Sequence, residues 1–252
     1  MLKEVLIAGV VLASTTANAQ DQSFDTNVSF EMTSALSKSA EANTIAAQTQ
    51  FEIGAFALQA DFLASTTYNA ELFREPDLRY VSAENAIFGA HAAYKVSDSI
   101  RIGGFASYAF TPTNVFGGML TVGVETMLSF GRADIEAAAH VAIFNGYQMS
   151  QVNFAAYYTV TPHLEFSLEA AAYISRGRPD ALITMASAHA KYTLPNVPLS
   201  LKVGLQNTYL TWHESLPSVR VGISYEFGTP SEYRAFSRRG FDYAALTVAA
   251  RP

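Results

Sequence analysis

No cysteine occurs in the 252 residues, and only 15% of them are charged. The first absence excludes a disulfide scaffold and suits an exported chain that does not rely on disulfides. The second is a wide shortfall, because soluble globular chains average about 25% charged residues. Glycine and proline, at 15 and 9 residues, are too few for a collagen-like or low-complexity chain. Bases are scarce too: 16 Lys and Arg face 22 Asp and Glu, giving a net charge of −6. No basic surface is left to release counterions from phosphates, so nucleic acid is not an expected partner. After residue 19 no apolar run approaches the ~18 residues that a membrane helix needs, which excludes a helical span. What is present is hydrophobicity spread thin, 50% of residues at a mean hydropathy of +0.13. That leaves a greasy soluble protein, or a membrane protein whose apolar residues are dispersed.

The first residues point to export. Lys3 precedes the apolar run Val5–Ala13, and small polar residues then lead to Ala17-Asn18-Ala19. A positive start, a short apolar stretch and an A-x-A site describe a secretory signal peptide over residues 1–19. Its removal takes Lys3 and Glu4 together and leaves the charge at −6.

Beyond the leader the hydrophobic residues repeat with period two, the signal of strands. Leu164, Phe166, Leu168, Ala170, Ala172 and Ile174 form one run, and Leu120, Val122, Val124, Thr126, Leu128 and Phe130 another. Ala133–Ile143, Val152–Val160, Leu199–Leu205 and Val219–Phe227 repeat the pattern. Strands of soluble proteins peak near ~5–6 residues, whereas a tilted strand that crosses a bilayer needs ~9–11. These runs have the longer length. Tight turns at Val96–Asp98, Gly131-Arg132 and Thr161-Pro162 alternate with longer polar loops at Thr67–Arg79, Ser175–Asp180 and Thr211–Ser218. An outer-membrane barrel has that asymmetry, with its short turns in the periplasm. Tyr80, Tyr94, Tyr108, Phe110, Phe130, Tyr192, Tyr209, Tyr225 and Phe227 lie near strand ends, where aromatic girdles belong.

Strand number turns on one stretch. Ile45, Ala47, Phe51 and Ile53 are odd-numbered, while Phe56, Leu58, Ala60 and Phe62 are even-numbered. A tight turn at Gly54-Ala55 explains the switch of face. The result is an all-β, antiparallel transmembrane β-barrel over residues 20–228, with twelve strands near 26–36, 43–53, 56–66, 80–96, 99–111, 117–130, 133–144, 150–160, 163–175, 181–193, 198–210 and 218–228. A bulge at Gly54 would instead give ten and leave 26–36 unassigned.

If the apolar residues face lipid, the intervening ones face the lumen. The expected pore-lining acids are Glu31, Glu52, Asp61, Glu125, Asp134, Glu136, Glu165, Glu169 and Glu226, and the bases are Lys95, Arg101, Lys191, Lys202 and Arg220. Nine against five favours cations weakly, unless the charges pair across strands. Gly103, Ser107, Gly123, Ala138, Ala155, Ser187, Gly204, Gly222 and Ser224 are small, which favours an open or loop-narrowed bore over one packed solid.

Tyr225-Glu226-Phe227 at a strand end, Phe51–Leu58 around a tight turn, and the hairpin Tyr94–Ile100 resemble Gram-negative outer-membrane porins. The resemblance spans residues 24–228 as a pattern, and in size and strand count it is similar to the small twelve-stranded channels for acidic sugars. It implies an outer-membrane location, passive diffusion of small hydrophilic solutes or ions, contact with outer-membrane lipid and lipopolysaccharide, and, as in larger porins, a homo-oligomer. Two departures stand out. Porins usually end at the terminal aromatic, but here a tail, 229–252, follows, and the chain is too short for sixteen strands. Ser231–Arg239 could form a short helix and Phe241–Val248 reads as extended, so the tail either plugs the lumen or lies in the periplasm.

Two rival classes are an outer-membrane hydrolase and a structural or adhesive barrel. No G-x-S-x-G elbow or H-E-x-x-H pair occurs. Trp212-His213-Glu214-Ser215 reads as a solvated loop, and His91, His140 and His189 read as lumen-solvated rather than metal ligands. The expectation is a non-enzyme with no catalytic residue, metal or cofactor.

Overall fold

The computed structural model describes residues 22–36, 40–69, 81–110, 118–144, 147–176, 181–210, 213–228 and 234–237. Twelve strands follow one another: β1 (Gln22–Ala35), β2 (Ala40–Ile53), β3 (Phe56–Asn69), β4 (Val81–Ser97), β5 (Ile100–Phe110), β6 (Gly118–Phe130), β7 (Ala133–Phe144), β8 (Tyr147–Thr161), β9 (Leu164–Arg176), β10 (Ala181–Thr193), β11 (Leu199–Leu210) and β12 (His213–Gly228). Each pairs antiparallel with its neighbours in sequence, and β1 pairs with β12 to close the barrel. Both β1 and β12 have their chain-terminal ends on the short-turn side, where Asp25 opposes Gly228 and Gln22 opposes Ile53.

The change of face at Gly54 is a turn. Gly54 has φ 57°, and Ile53 and Phe56 on either side are register partners. Gly131, at φ 62°, does the same between Phe130 and Ala133. Glycine adopts this left-handed backbone without the Cβ clash that other residues meet. Residues 26–35 therefore belong to β1, and the ten-strand alternative falls.

Several strands outrun their expected limits. β1 begins at Gln22, β2 at Ala40 and β12 at His213, and β3 runs to Asn69. The loops expected at Thr67–Arg79 and Thr211–Ser218 are thus partly strand. Hydrophobic alternation stops where lipid stops, but backbone hydrogen bonds continue the ladder through the polar residues beyond it. The leader 1–19, residues 70–80, Trp212 and the extended stretch expected at 241–248 lie outside the described residues.

The outward positions are apolar all round the ring. Leu58, Val124, Leu168 and Leu205 are 53–65% exposed, and so continuous a belt is foreign to a soluble monomer. Aromatic residues mark both edges. At the short-turn end Phe56 packs 5.1 Å from Tyr94 and Tyr225 6.2 Å from Phe227, with Phe130, Tyr158 and Tyr192 exposed beside them. Tyr108, Phe110 and Tyr209 lie at the other end.

Candidate functional site: the barrel interior

Where exposure alternates cleanly, as on β5 and β6, the expected charged residues take the inner face. Arg101 is buried between exposed Ile100 and Ile102, and Glu125 between exposed Val124 and partly exposed Thr126. Closing the sheet brings these side chains together across the bore. Arg101 on β5 reaches Glu52 on β2 at 2.6 Å, passing β3 and β4. His91 on β4 bridges Asp61 on β3 at 2.9 Å and Glu125 on β6 at 2.7 Å. Glu31 on β1 forms ion pairs with Lys202 at 3.5 Å and Arg220 at 3.4 Å. Lys191 on β10 pairs with Glu226 on β12, and Glu169 stands 3.8 Å from His189. Lys95 pairs with Asp98 at the rim. The interior is a web of ion pairs more than a ring of like charge.

Asp134, Glu136 and Glu165 are held by the segment that follows the barrel. Arg234 Nε lies 3.2 Å from Asp134 Oδ2, and its terminal nitrogens grip Glu165. The Ser237 amide and hydroxyl donate to Glu136. Phe236 is buried against Ala57, Ala93 and Met127. Sequence reasoning looked for partners of Asp134 on facing strands and missed this one.

The small residues do not leave the bore empty. A Cβ on Gly123 would sit 2.4 Å from His140 Cβ and 2.6 Å from Phe105 Cε1, and one on Gly204 would sit 2.0 Å from His189 Nδ1. Those two glycines make room for imidazole and phenyl rings, whereas Ala155, Gly222 and Ser224 of the same set do line open space. His91, His140 and His189 are likewise buried rather than solvated. His91 stacks 5.3 Å from Phe105, and His140 bonds Gln151 at 2.6 Å.

Toward the long-loop end the inner wall turns apolar. Ile87, Met119, Met149, Tyr173 and Ile183 pack together with Ala109, Ala142 and Ala171. This layer was missed because inward positions were read as polar. Adjacent apolar pairs such as Ile87-Phe88, Tyr173-Ile174 and Leu182-Ile183 carry the signal, since two neighbours of a strand face opposite sides. Asp25, one residue before the expected start of β1, also faces inward and was missed.

A cavity of about 680 Å³ remains inside, lined by Glu31, Gln48, Glu169, Lys202, Arg220 and Arg234 among others. Among the described residues no cluster of three His, Asp or Glu side chains could hold a metal. Ser187 Oγ lies 2.9 Å from His189 Nε2, but Glu169 stands nearest that same nitrogen. A Ser–His–acid relay needs the acid on the other ring nitrogen, so these residues are not arranged for nucleophilic attack.

No protein-family model matches the chain, and no curated protein matches it by sequence. Solved structures do match. The NanC porin superposes with a TM-score of 0.63 at 9% identity, covering 79% of this chain and 98% of its own. The COG4313 outer membrane channel from Pseudomonas putida F1 gives 0.61 at 9%, covering 85% and 98%. The KdgM porin gives 0.54 at 10%, covering 80% and 99%. The closed ring of twelve strands, its lipid-facing belt and these likenesses agree: the chain has the porin-like fold of Gram-negative outer-membrane β-barrels.

Proposed function

We propose that the chain is an outer-membrane channel for passive diffusion of small hydrophilic solutes or ions, weakly preferring cations. The observation that carries this reading is the charged cavity of about 680 Å³ enclosed by a closed, lipid-belted barrel. Its porin-like relatives in fold are named as porins or channels. The fourteen charged residues line the path, and outer-membrane lipid and lipopolysaccharide cover the belt. Homo-oligomers are part of the same reading. Cation preference is weak because most inner acids already have a cationic partner, and paired charges offset each other's field. Glu169, whose ion-pair partner among the described residues is a histidine at 3.8 Å, contributes most.

Single-channel conductance in planar bilayers, with the reversal potential in a salt gradient, tests pore and charge sign together. Discrete steps and a reversal potential of cation sign are expected, and Glu169→Gln should move that potential toward zero. Silent bilayers containing correctly folded full-length protein and folded barrel without its tail would sink the channel reading.

A further inference from the structure

Residues 234–237 form four links of chain, yet they touch eight consecutive strands. The Arg234 guanidinium lies between Asp134 of β7 and Glu165 of β9, 4.0 Å over the ring of Tyr157 on β8. Its carbonyl accepts from Arg101 of β5 at 3.3 Å. The Phe236 ring fills a slot between Ala57, Ala93 and Met127 and lies 6.4 Å from, and nearly parallel to, that of His91. The Phe236 carbonyl accepts from Gln48 of β2 at 2.6 Å and Gln59 of β3 at 3.0 Å. Ser237 donates its amide and hydroxyl to Glu136, and its hydroxyl meets Tyr157. Contacts from two-thirds of the circumference mean that the segment lies across the bore.

The wall around it is braced independently. Gln59 bonds Asp61, Asp61 and Glu125 clamp His91, and Gln50 and Arg101 both hold Glu52. None of those bonds passes through the tail, so the part of the cradle on β2–β6 is held without its occupant. The cradle offers a forked carboxylate seat for a guanidinium, an apolar slot two residues on, and side-chain amide donors for the carbonyl of the residue in that slot. These are the elements of a peptide-binding site.

We infer that this inner wall is a receptor for the chain's own Arg234–Ser237 segment, and that its occupancy holds the channel closed. The gate rests on the channel reading above; the receptor does not. Departure of the segment withdraws the cation from Asp134 and Glu165, so the opened bore is both wider and more cation-selective than the resting one. The recognised ligand class is a short peptide with arginine, an aromatic ring two residues later, and a hydroxyl next.

Two measurements test this separately. The barrel lacking residues 229–252, refolded in lipid, is titrated with a synthetic peptide of residues 229–242 by calorimetry, which needs no conductance. Binding is expected, weakened about tenfold or more when the peptide carries Arg234→Glu, because two carboxylates would then face a third. No binding overturns the receptor. In planar bilayers the truncated barrel should open far more often than the full chain, and the peptide added from the short-turn side should close it again. Equal conductance of full and truncated chains overturns the gate. Silence of both with tight peptide binding overturns the channel reading and its gate while bearing out the receptor. Should the truncated barrel fail to fold, Ala235→Cys in the full chain, which has no other cysteine, reports instead. Maleimide labelling should be slow, and about tenfold faster with Arg234→Glu added, by the same like-charge repulsion. Equal rates overturn the proposal.

Discussion

Replacing Leu168 by arginine asks directly which solvent surrounds the barrel. Leu168 points outward from β9 and is 62% exposed. Leu164, four residues nearer the turn, is the register partner of Tyr192, a member of the aromatic girdle at the short-turn end. Four residues at ~3.3 Å each, on a strand tilted ~40°, rise about 10 Å along the barrel axis, close to the middle of a ~25 Å apolar band. A cation at that depth costs about 2–4 kcal/mol, and at the girdle about 0–1. In water the same exposed position would tolerate arginine within ~0.5 kcal/mol. Denaturant unfolding of protein folded into vesicles, followed by the fluorescence of the single tryptophan, Trp212, supplies the numbers. Leu168→Arg should be strongly destabilising and Tyr192→Arg nearly neutral. A cost below ~0.5 kcal/mol at Leu168, or equal costs at the two depths, would refute the assignment of lipid to this face.

Two further predictions concern the interior. Arg101→Met leaves Glu52 without its cation in a largely buried setting and should cost about 3–5 kcal/mol, most of it regained when Glu52→Leu is added. The same unfolding assay reads this cycle, and additivity of the two losses would show that the ion pair is not a unit. Gly123→Ala drives a methyl into His140, Phe105 and the Ala139 carbonyl, for an expected loss of about 1–3 kcal/mol by overpacking. A gel-shift melting temperature unchanged by that variant would show that the bore has slack there.

The outer face was legible in the sequence because lipid imposes one rule on every strand. Leu168, Val124 and Leu205 must be apolar, and their spacing fixes which neighbours point inward. Gly54 was legible for a similar reason, since a change of parity needs a physical cause. The inner contacts obey no such periodicity. Glu165 lies opposite Lys191 in the ladder, yet its cation is Arg234, 69 residues further on, while Lys191 reaches Glu226 on β12. Long, flexible charged side chains choose partners across a three-dimensional bore, where register is only one constraint. The inner apolar layer around Met119 and Met149 escaped notice because inward positions were read as polar, although adjacent apolar pairs such as Tyr173-Ile174 mark it.

The seam between β1 and β12 has a consequence for how the molecule is made. Every other strand pair joins neighbours in sequence, whereas Asn27 and Glu226 at the seam are 199 residues apart. Eleven hairpin-like pairings can therefore zip locally, and one late encounter of distant chain carries the whole non-local search. Until it happens, two strand edges expose unpaired amides and carbonyls, which hydrocarbon does not tolerate. Insertion and closure must then be nearly simultaneous. β12 ends on the short-turn side, where the Arg234 partners Asp134 and Glu165 also lie, so a completed ring can receive Arg234 at the end where its last strand stops.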